Sequence, residues 1–386
     1  MTTATVVIHS ARLVSDSRCA TDAWVAFASA RVLAAGVGDS WRGLTDRNTA
    51  VTDAGGKFLT PGFIDIHCHG GGGAAFDDGA EAIRTGLAVH RAHGTTRSTL
   101  SLVTNTLPRL EQSLKVIAEL ARVDPLVLGS HLEGPFLDEE FKGAHDKRLL
   151  RNATNPEIDR LLDAASGSLR QITMAPELPG AASAITRFTN SGVAVAVGHT
   201  AATYEQTMTA FDAGASILTH AFNGMRGIHH RAPGPVVAAM SRSGVTLEII
   251  NDGTHVHPDV VRMAWASAPG RVALVTDAMA AAGSADGSYR LGALEVTVRS
   301  GVARLVDGGS IAGSTLLLDD AVRRAVGDVG VSLESAIDAV TRVPARALGY
   351  SHQLGSLVAG YAADAVMLNE DLAVVAVWAN GALLSP

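Results

Sequence analysis

From residue 61 onward the chain alternates short β-rich runs with longer segments of helical period, and it does so eight times. That alternation constrains the fold more than any other feature, because parallel strands can only be joined by crossover segments, which are usually helices. The runs read as strands are 62–67, 97–104, 126–133, 169–176, 193–199, 216–222, 245–251 and 272–277. The spacing between them predicts helices such as 108–122, 181–191, 203–213 and 258–267. Glycines at 94, 192, 214 and 244 stand where helices end. Eight units favour a closed (β/α)8 barrel of the TIM type over an open doubly wound sheet, which uses fewer strands.

The ends of the chain do not follow this rhythm. Residues 4–36 and 354–384 are rich in Val, Ala and turn residues without helical period, and read as two halves of one small β-sandwich domain built from both termini. Residues 39–56 would link it to the barrel, and residues 283–313 read as a β insertion after the eighth barrel strand. The expected organisation is therefore 1–56 and 351–386 for the small β-domain, with 57–350 as the barrel.

Composition narrows the function classes. Hydrophobic residues are 47% and charged residues 18%, which excludes a disordered chain. No uncharged apolar run is long enough to span a membrane, and the N-terminus lacks a basic segment ahead of its apolar stretch. The net charge of −7, without a dense Lys/Arg tract, argues against a nucleic-acid partner. Two cysteines, Cys19 and Cys68, in unrelated contexts suggest a reducing compartment, so a cytoplasmic location is expected.

In a barrel of this kind catalytic residues sit at the C-terminal ends of the strands. Strand one ends in "HCH" with His67 and His69, strand three in Glu133, strand five in His199, strand six in His220 and strand eight in Asp277. Side chains two apart on a strand share a face, so Asp65, His67 and His69 would look the same way. Singly, each residue has an ordinary explanation as an interior hydrogen-bonding group or a cap. Converging on one barrel mouth, they would desolvate one another unless a cation lies between them. Mixed imidazole and carboxylate ligands suit zinc first, with iron, cobalt or manganese as alternatives.

A metal with a spare carboxylate points to hydrolysis, with Asp277 taking a proton from water and returning it to the leaving group. Two loops bear on the substrate. After strand six, "NGMRGIHHRAPG" holds Asn223, Arg226, His229, His230 and Arg231 without an acid; after strand seven, "NDGTHVHP" holds His255 and His257. Late loops of such barrels often bind phosphate, while a solvated basic loop would have the same composition.

In order along the chain, "LTPGFIDIHCHG", "HLEGPFL", "KGAH", "VGHT", "THAFNGM", "NDGTHVHP", "LVTDAM", "IAGSTL" and "GSLVAGYAADAVML" resemble the motifs of the N-acetylglucosamine-6-phosphate deacetylase branch of the amidohydrolase superfamily, nearly end to end. The resemblance implies hydrolysis of N-acetylglucosamine 6-phosphate to glucosamine 6-phosphate and acetate, in amino-sugar catabolism and cell-wall recycling. It makes Glu133, His199 and His220 ligands of a main metal, and His67 and His69 ligands of a second, with Glu133 bridging, so one or two divalent ions per subunit. It makes Asp277 the acid/base. His145 would touch the sugar or acetyl group, and Asn223, the Gly224 backbone and His255 would hold sugar and phosphate. Arg231 would reach the phosphate of a neighbouring subunit, which implies a homodimer. Some relatives carry Gln and Asn in place of the two histidines of strand one and use one metal; this chain keeps both histidines. The modified lysine common on strand four elsewhere in the superfamily has no counterpart here.

The nearest rival is an amidohydrolase acting on N-acyl amino acids or cyclic amides, which would need a carboxylate-binding or ring-binding loop. A rival of another class is a metal-free scaffold barrel, disfavoured by the intact ligand set.

Overall fold

The computed structural model describes residues 3–384. Eight parallel strands follow one another in sequence order: β1 (Phe63–Cys68), β2 (Thr95–Val103), β3 (Val127–Glu133), β4 (Leu169–Met174), β5 (Ala194–Val197), β6 (Ile217–Leu218), β7 (Thr246–Ile250) and β8 (Val272–Val275). Just past the end of β8, the N–H of Asp277 donates to the carbonyl of His67 (2.8 Å) and that of His69 to the carbonyl of Ala278 (2.8 Å), which brings the two ends of the sheet together. The result is a (β/α)8 barrel.

All eight expected strands are present, and the four named helices fall at Leu107–Val123, Ala181–Asn190, Tyr204–Asp212 and Pro258–Ser267. Local chemistry fixes their starts. Thr203 and Gln206 form a reciprocal capping box at the third of these, and His257 caps the fourth with proline in its first turn. Gly94, Gly192 and Gly214 adopt the left-handed conformation of helix ends, whereas Gly244 does not.

Strands β5, β6 and β8 are shorter than their apolar runs, and the expected site residues His199, His220 and Asp277 lie beyond them with φ of +46°, +24° and +47°. Non-glycine residues seldom take positive φ, and where they do the surroundings hold them there. Here the carbonyl of His199 accepts from Asp138 N–H, that of His220 from Asn223 N–H, and that of Asp277 from Ser314 N–H.

A second sheet joins both termini in the order Ala382–Leu384, Val374–Ala379, Ala365–Leu368, Phe58–Pro61, Val6–Ser15, Arg18–Ala28, Arg31–Val37. Its apolar core includes Ile8, Val25, Phe27, Leu59, Ala365, Met367 and Trp378. Two sequence expectations need correction. The 39–56 segment is no plain linker, since it holds a 3-10 turn at Ser40–Leu44 and the strand Ala50–Asp53, paired in parallel with Val6–His9. Phe58–Pro61, included from sequence in the 57–350 barrel segment, lies inside the terminal sheet. By compactness, one unit takes the chain up to Asp65, His90–Arg97 and everything from Leu318; the other takes Ile66–Val89 and Ser98–Leu317.

The insertion after β8 is a three-stranded antiparallel sheet, Gly287–Leu291, Leu294–Arg299 and Val302–Leu305, packed through Leu291, Val296 and Val298 with Val103 and Met279. Among the described residues no helix is long and apolar enough to cross a membrane.

Candidate metal centre

At the C-terminal mouth of the barrel a cavity of about 350 Å³ is lined by His69, Glu133, His145, His199, His220, Asn223, Gly224, His255 and Asp277, with Ile250, Leu291 and Ile311 among its apolar walls. Glu133 lies at its centre. One carboxylate oxygen, Oε1, is 3.0 Å from His199 Nε2, 3.1 Å from His220 Nε2 and 3.5 Å from His67 Nε2. The other, Oε2, is 3.2 Å from His69 Nε2 and 3.3 Å from His145 Nε2. Asp277 Oδ1 sits 3.4 Å from His67 Nε2 and 3.3 Å from His69 Nε2.

The hydrogen bonds at the far side of each ring decide what these nitrogens can do. His199 Nδ1 meets the carbonyl oxygen of Phe141 at 2.8 Å, and a carbonyl only accepts, so Nδ1 carries the hydrogen. In the neutral ring Nε2 is then a bare lone pair facing a carboxylate oxygen and, at 3.0 Å, the Nε2 of His220. Likewise His67 Nδ1 donates to the carboxylate of Glu248 (3.1 Å), which leaves its Nε2 lone pair 3.2 Å from His69 Nε2. Buried lone pairs facing lone pairs require a cation, whether proton or metal. His145 is the opposite case: its Nδ1 accepts the backbone N–H of Thr104 (3.3 Å), so its Nε2 carries hydrogen and donates to Glu133. The donor set of His67, His69, His199, His220 and Glu133 therefore fits a divalent metal, while His145 in this tautomer presents an N–H to Glu133.

Electrostatics agree. Burial opposes charge on His67, yet the carboxylates of Glu133 and Asp277 outweigh it and hold its pKa well above the ordinary 6.5. Burial opposes charge on His69 too, and hydrogen bonds to Asp277 and Glu133 raise it to about 10. Burial alone would raise Asp277; the charge on His67 and the hydrogen bond from His69 instead lower it from 3.8 to about 2. Glu133 lies well below the carboxylate range, as His67, His145 and His199 overcome its burial. His145 is pushed down to about 4, chiefly by burial, and stays neutral.

Without metal, then, protons on His67 and His69 neutralise the cluster, and a prediction follows from linkage. Folded-state values above 6.5 give His67 and His69 a stabilising contribution that is complete below pH 6.5 and lost as pH rises through those values, about 10 for His69. The depressed Asp277 contributes above 3.8 and loses that contribution as pH falls towards about 2. Chelator-treated protein is expected to lose Tm from about pH 6.5 upwards, while metal-loaded protein keeps it and releases protons on binding. Thermal scans of both forms across this range check it; parallel curves would mean that protons and metal do not compete here.

Other expected residues fall as follows. Asn223 and Gly224 line the cavity; a Cβ at Gly224 would stand 2.9 Å from His199 Nδ1, and its φ is +60°. His255 lines it with Nδ1 2.7 Å from Asp252 Oδ2. His257 is a helix cap instead. Arg231 is exposed, with His229 and His230, and does not line the cavity. Asp65, placed by alternation on the face of His67, is absent from the lining as well. Two residues of strand set it roughly 7 Å deeper in the barrel.

Sequence reasoning missed a polar floor under the site. Glu248, Gln171 and His131 are fully buried; Glu248 binds Gln171 Nε2 (2.7 Å), and His131 lies between Ser101 Oγ (2.8 Å) and Thr173 Oγ1 (2.9 Å). The signal was a lone Glu within the apolar run "VTLEII". Small residues make room: a Cβ at Gly198 would lie 2.6 Å from Thr219 Cβ and 2.8 Å from Thr173 Cγ2.

The amidohydrolase family profile matches residues 58–384. The chain is 43% identical over 340 residues to N-acetylgalactosamine-6-phosphate deacetylase of Escherichia coli O157:H7, covering 87% of this chain and 90% of the relative. It is 36% identical over 330 residues to N-acetylglucosamine-6-phosphate deacetylase of Vibrio furnissii, covering 84% and 82%. The crystal structure of N-acetyl-D-glucosamine-6-phosphate deacetylase from Mycobacterium smegmatis is similar with a TM-score of 0.92 at 41% identity, over 98% of this chain and 100% of that one. A mutant of that enzyme has been solved in complex with N-acetyl-D-glucosamine-6-phosphate. A β-aspartyl dipeptidase from Fervidobacterium islandicum, at 16% identity and a TM-score of 0.63, shares the fold alone. With a profile match running from the last strand before the barrel to the end of the terminal sheet, and a metal-ready cluster at the barrel mouth, the chain belongs to the amidohydrolase family.

Proposed function

We propose that the protein hydrolyses the N-acetyl group of an amino-sugar 6-phosphate, N-acetylglucosamine 6-phosphate in the first place, giving glucosamine 6-phosphate and acetate. The observation that carries this reading is the cavity in which Nε2 lone pairs, a neutral N–H donor and a carboxylate face one another, on a chain whose full-length relatives bear deacetylase names. The 43% identity to the galactosamine-type enzyme favours N-acetylgalactosamine 6-phosphate as a second substrate.

Glu133, His199 and His220 would hold the main ion, and His67 with His69 a second, to which the other Glu133 oxygen is also near. Zinc suits this set first, with iron, cobalt or manganese as alternatives. A bound divalent ion supplies positive charge that polarises the amide carbonyl and acidifies water. Asp277 takes the proton as a water oxygen bonds to the acetyl carbon. It returns that proton to the nitrogen as the C–N bond breaks, without which the amine would leave poorly. His145 lines the cavity and touches the sugar or acetyl group, its Nε2–H leaving Glu133 for a substrate oxygen. Asn223, the Gly224 backbone and His255 hold sugar and phosphate.

Arg231 is exposed and outside the cavity of its own chain; in a homodimer it would reach the phosphate in the site of the second subunit. Arg231→Ala is expected to raise KM for the phosphorylated substrate far more than for the free sugar; equal effects would move phosphate binding elsewhere. Two free cysteines suit a cytoplasmic enzyme, and the substrate proposed would place it in amino-sugar catabolism and cell-wall recycling.

Acetate release from both amino-sugar 6-phosphates, from N-acetylglucosamine and from N-acyl amino acids, with a chelated control, tests the reading. Chelator-sensitive release from phosphate esters alone supports it. Release only from N-acyl amino acids would turn the site over to the rival substrate class.

A further inference from the structure

One buried carboxylate has no part in the chemistry above. Glu248 stands in the middle of β7, fully buried, on the inner face of the barrel below the metal ligands. Three N–H groups meet it: His67 Nδ1 at Oε2 (3.1 Å), the backbone N–H of His220 at Oε2 (3.3 Å) and Gln171 Nε2 at Oε1 (2.7 Å). One side chain therefore reaches a histidine of each expected metal position.

The two contacts differ in kind. His220 is met through its backbone, and that backbone is also held by Asn223 N–H on the His220 carbonyl (3.0 Å) and by Ala221 N–H on the Glu248 main-chain carbonyl (2.7 Å). Neither of those bonds needs the Glu248 side chain. His67 is met at the ring itself. A carboxylate can only accept, so the contact selects the Nδ1–H tautomer and turns the Nε2 lone pair towards Glu133, His69 and Asp277. Carboxylates behind ligating imidazoles set ring orientation and raise ligand basicity.

We propose that Glu248 is the positioning residue that commits this protein to a second divalent metal ion, by locking His67 as an Nε2 ligand. The inference rests on the metal reading of the cavity and is independent of which sugar the enzyme cuts.

Chelator-treated full-length protein, titrated with Zn²⁺ and with Co²⁺ and read by calorimetry and elemental analysis, measures the two affinities separately. Nitrogen spectra of the Zn²⁺-loaded ¹⁵N-histidine protein, in which the rings are neutral, report the tautomer of His67. Wild type is expected to take two ions. Glu248→Leu is expected to weaken the second by about 10- to 100-fold, with the first unchanged and the His67 Nδ1–H signature lost. Glu248→Gln keeps the acceptor: its amide oxygen replaces Oε2, and Gln171 can turn its unpartnered Oε1 to the new amide. That variant is expected to keep the tautomer and to bind the second ion about tenfold more weakly, as the charge behind the ring is gone. If Glu248→Leu does not fold, Glu248→Gln still decides.

Wild-type affinity for the second ion in both variants overturns the proposal. Equal weakening of both ions overturns it too, since that marks a merely structural role, as does a single ion in wild type. A wild-type protein that binds no ion removes the metal reading itself, and this failure is recognised before any variant is made.

Discussion

Asp277→Asn lowers kcat for acetate release by at least about 10²-fold, the scale of losing a positioned acid/base, and leaves metal content unchanged. Asparagine keeps the shape and can still fill the place beside His67 and His69, but its amide cannot take a proton from water. The environment of Asp277 suits the role. With protons on His67 and His69 in place of metal, its carboxyl is lowered to about 2 because they outweigh the effect of burial, so it is ionised and open to a proton at neutral pH. Its side chain is 12% exposed and lines the cavity, in reach of a bound molecule. Turnover beside elemental analysis checks the expectation. Near-normal kcat would remove Asp277 from proton transfer, and loss of metal would make it a ligand, which its distances of 3.3 to 3.4 Å from His69 and His67 also permit.

Glu133→Gln is expected to strip metal from both positions and to reduce activity by at least about 10³-fold. A bound metal supplies several kcal/mol of transition-state stabilisation, and each 1.4 kcal/mol is about tenfold in rate. The reason for choosing this residue is its centrality: its two oxygens lie within 3.0 to 3.5 Å of the Nε2 atoms of His67, His69, His145, His199 and His220. The amide removes the negative charge shared by all of them and puts an NH₂ where one of those oxygens now stands. Metal titration followed by turnover with excess metal separates the two effects. Full metal content with near-normal turnover would take Glu133 out of the ligand set.

The (β/α)8 architecture was legible in the chain because its signals are local. Apolar runs of period two, helices of period 3.6 and glycine stops locate each unit within a few residues, and each strand pairs with its neighbour in sequence. The order of strands then tells which residues reach the barrel mouth. For that reason "HCH", Glu133, His199, His220 and Asp277 could be named as one cluster. The terminal sheet was less legible, since it pairs strands far apart in the chain: Phe58–Pro61 lies between Val6–Ser15 and Ala365–Leu368. No local pattern records such a pairing.

What the sequence by itself determined, then, is the set of residue types at the mouth and their approximate height on the strands. Only the tertiary structure decided which nitrogen of each ring faces inward. His199 owes its tautomer to the Phe141 carbonyl, 58 residues away, and His145 its opposite tautomer to the Thr104 N–H, 41 residues away. His67 owes its own to Glu248, 181 residues away. The left-handed backbone at His199, His220 and Asp277 is likewise set by partners outside their strands. A residue type carries a lone pair and a proton whose placement depends on what its other atoms touch. Those contacts exist only once the barrel has closed, so the residue types are written in the chain, and the placement of each lone pair and proton is written in the fold.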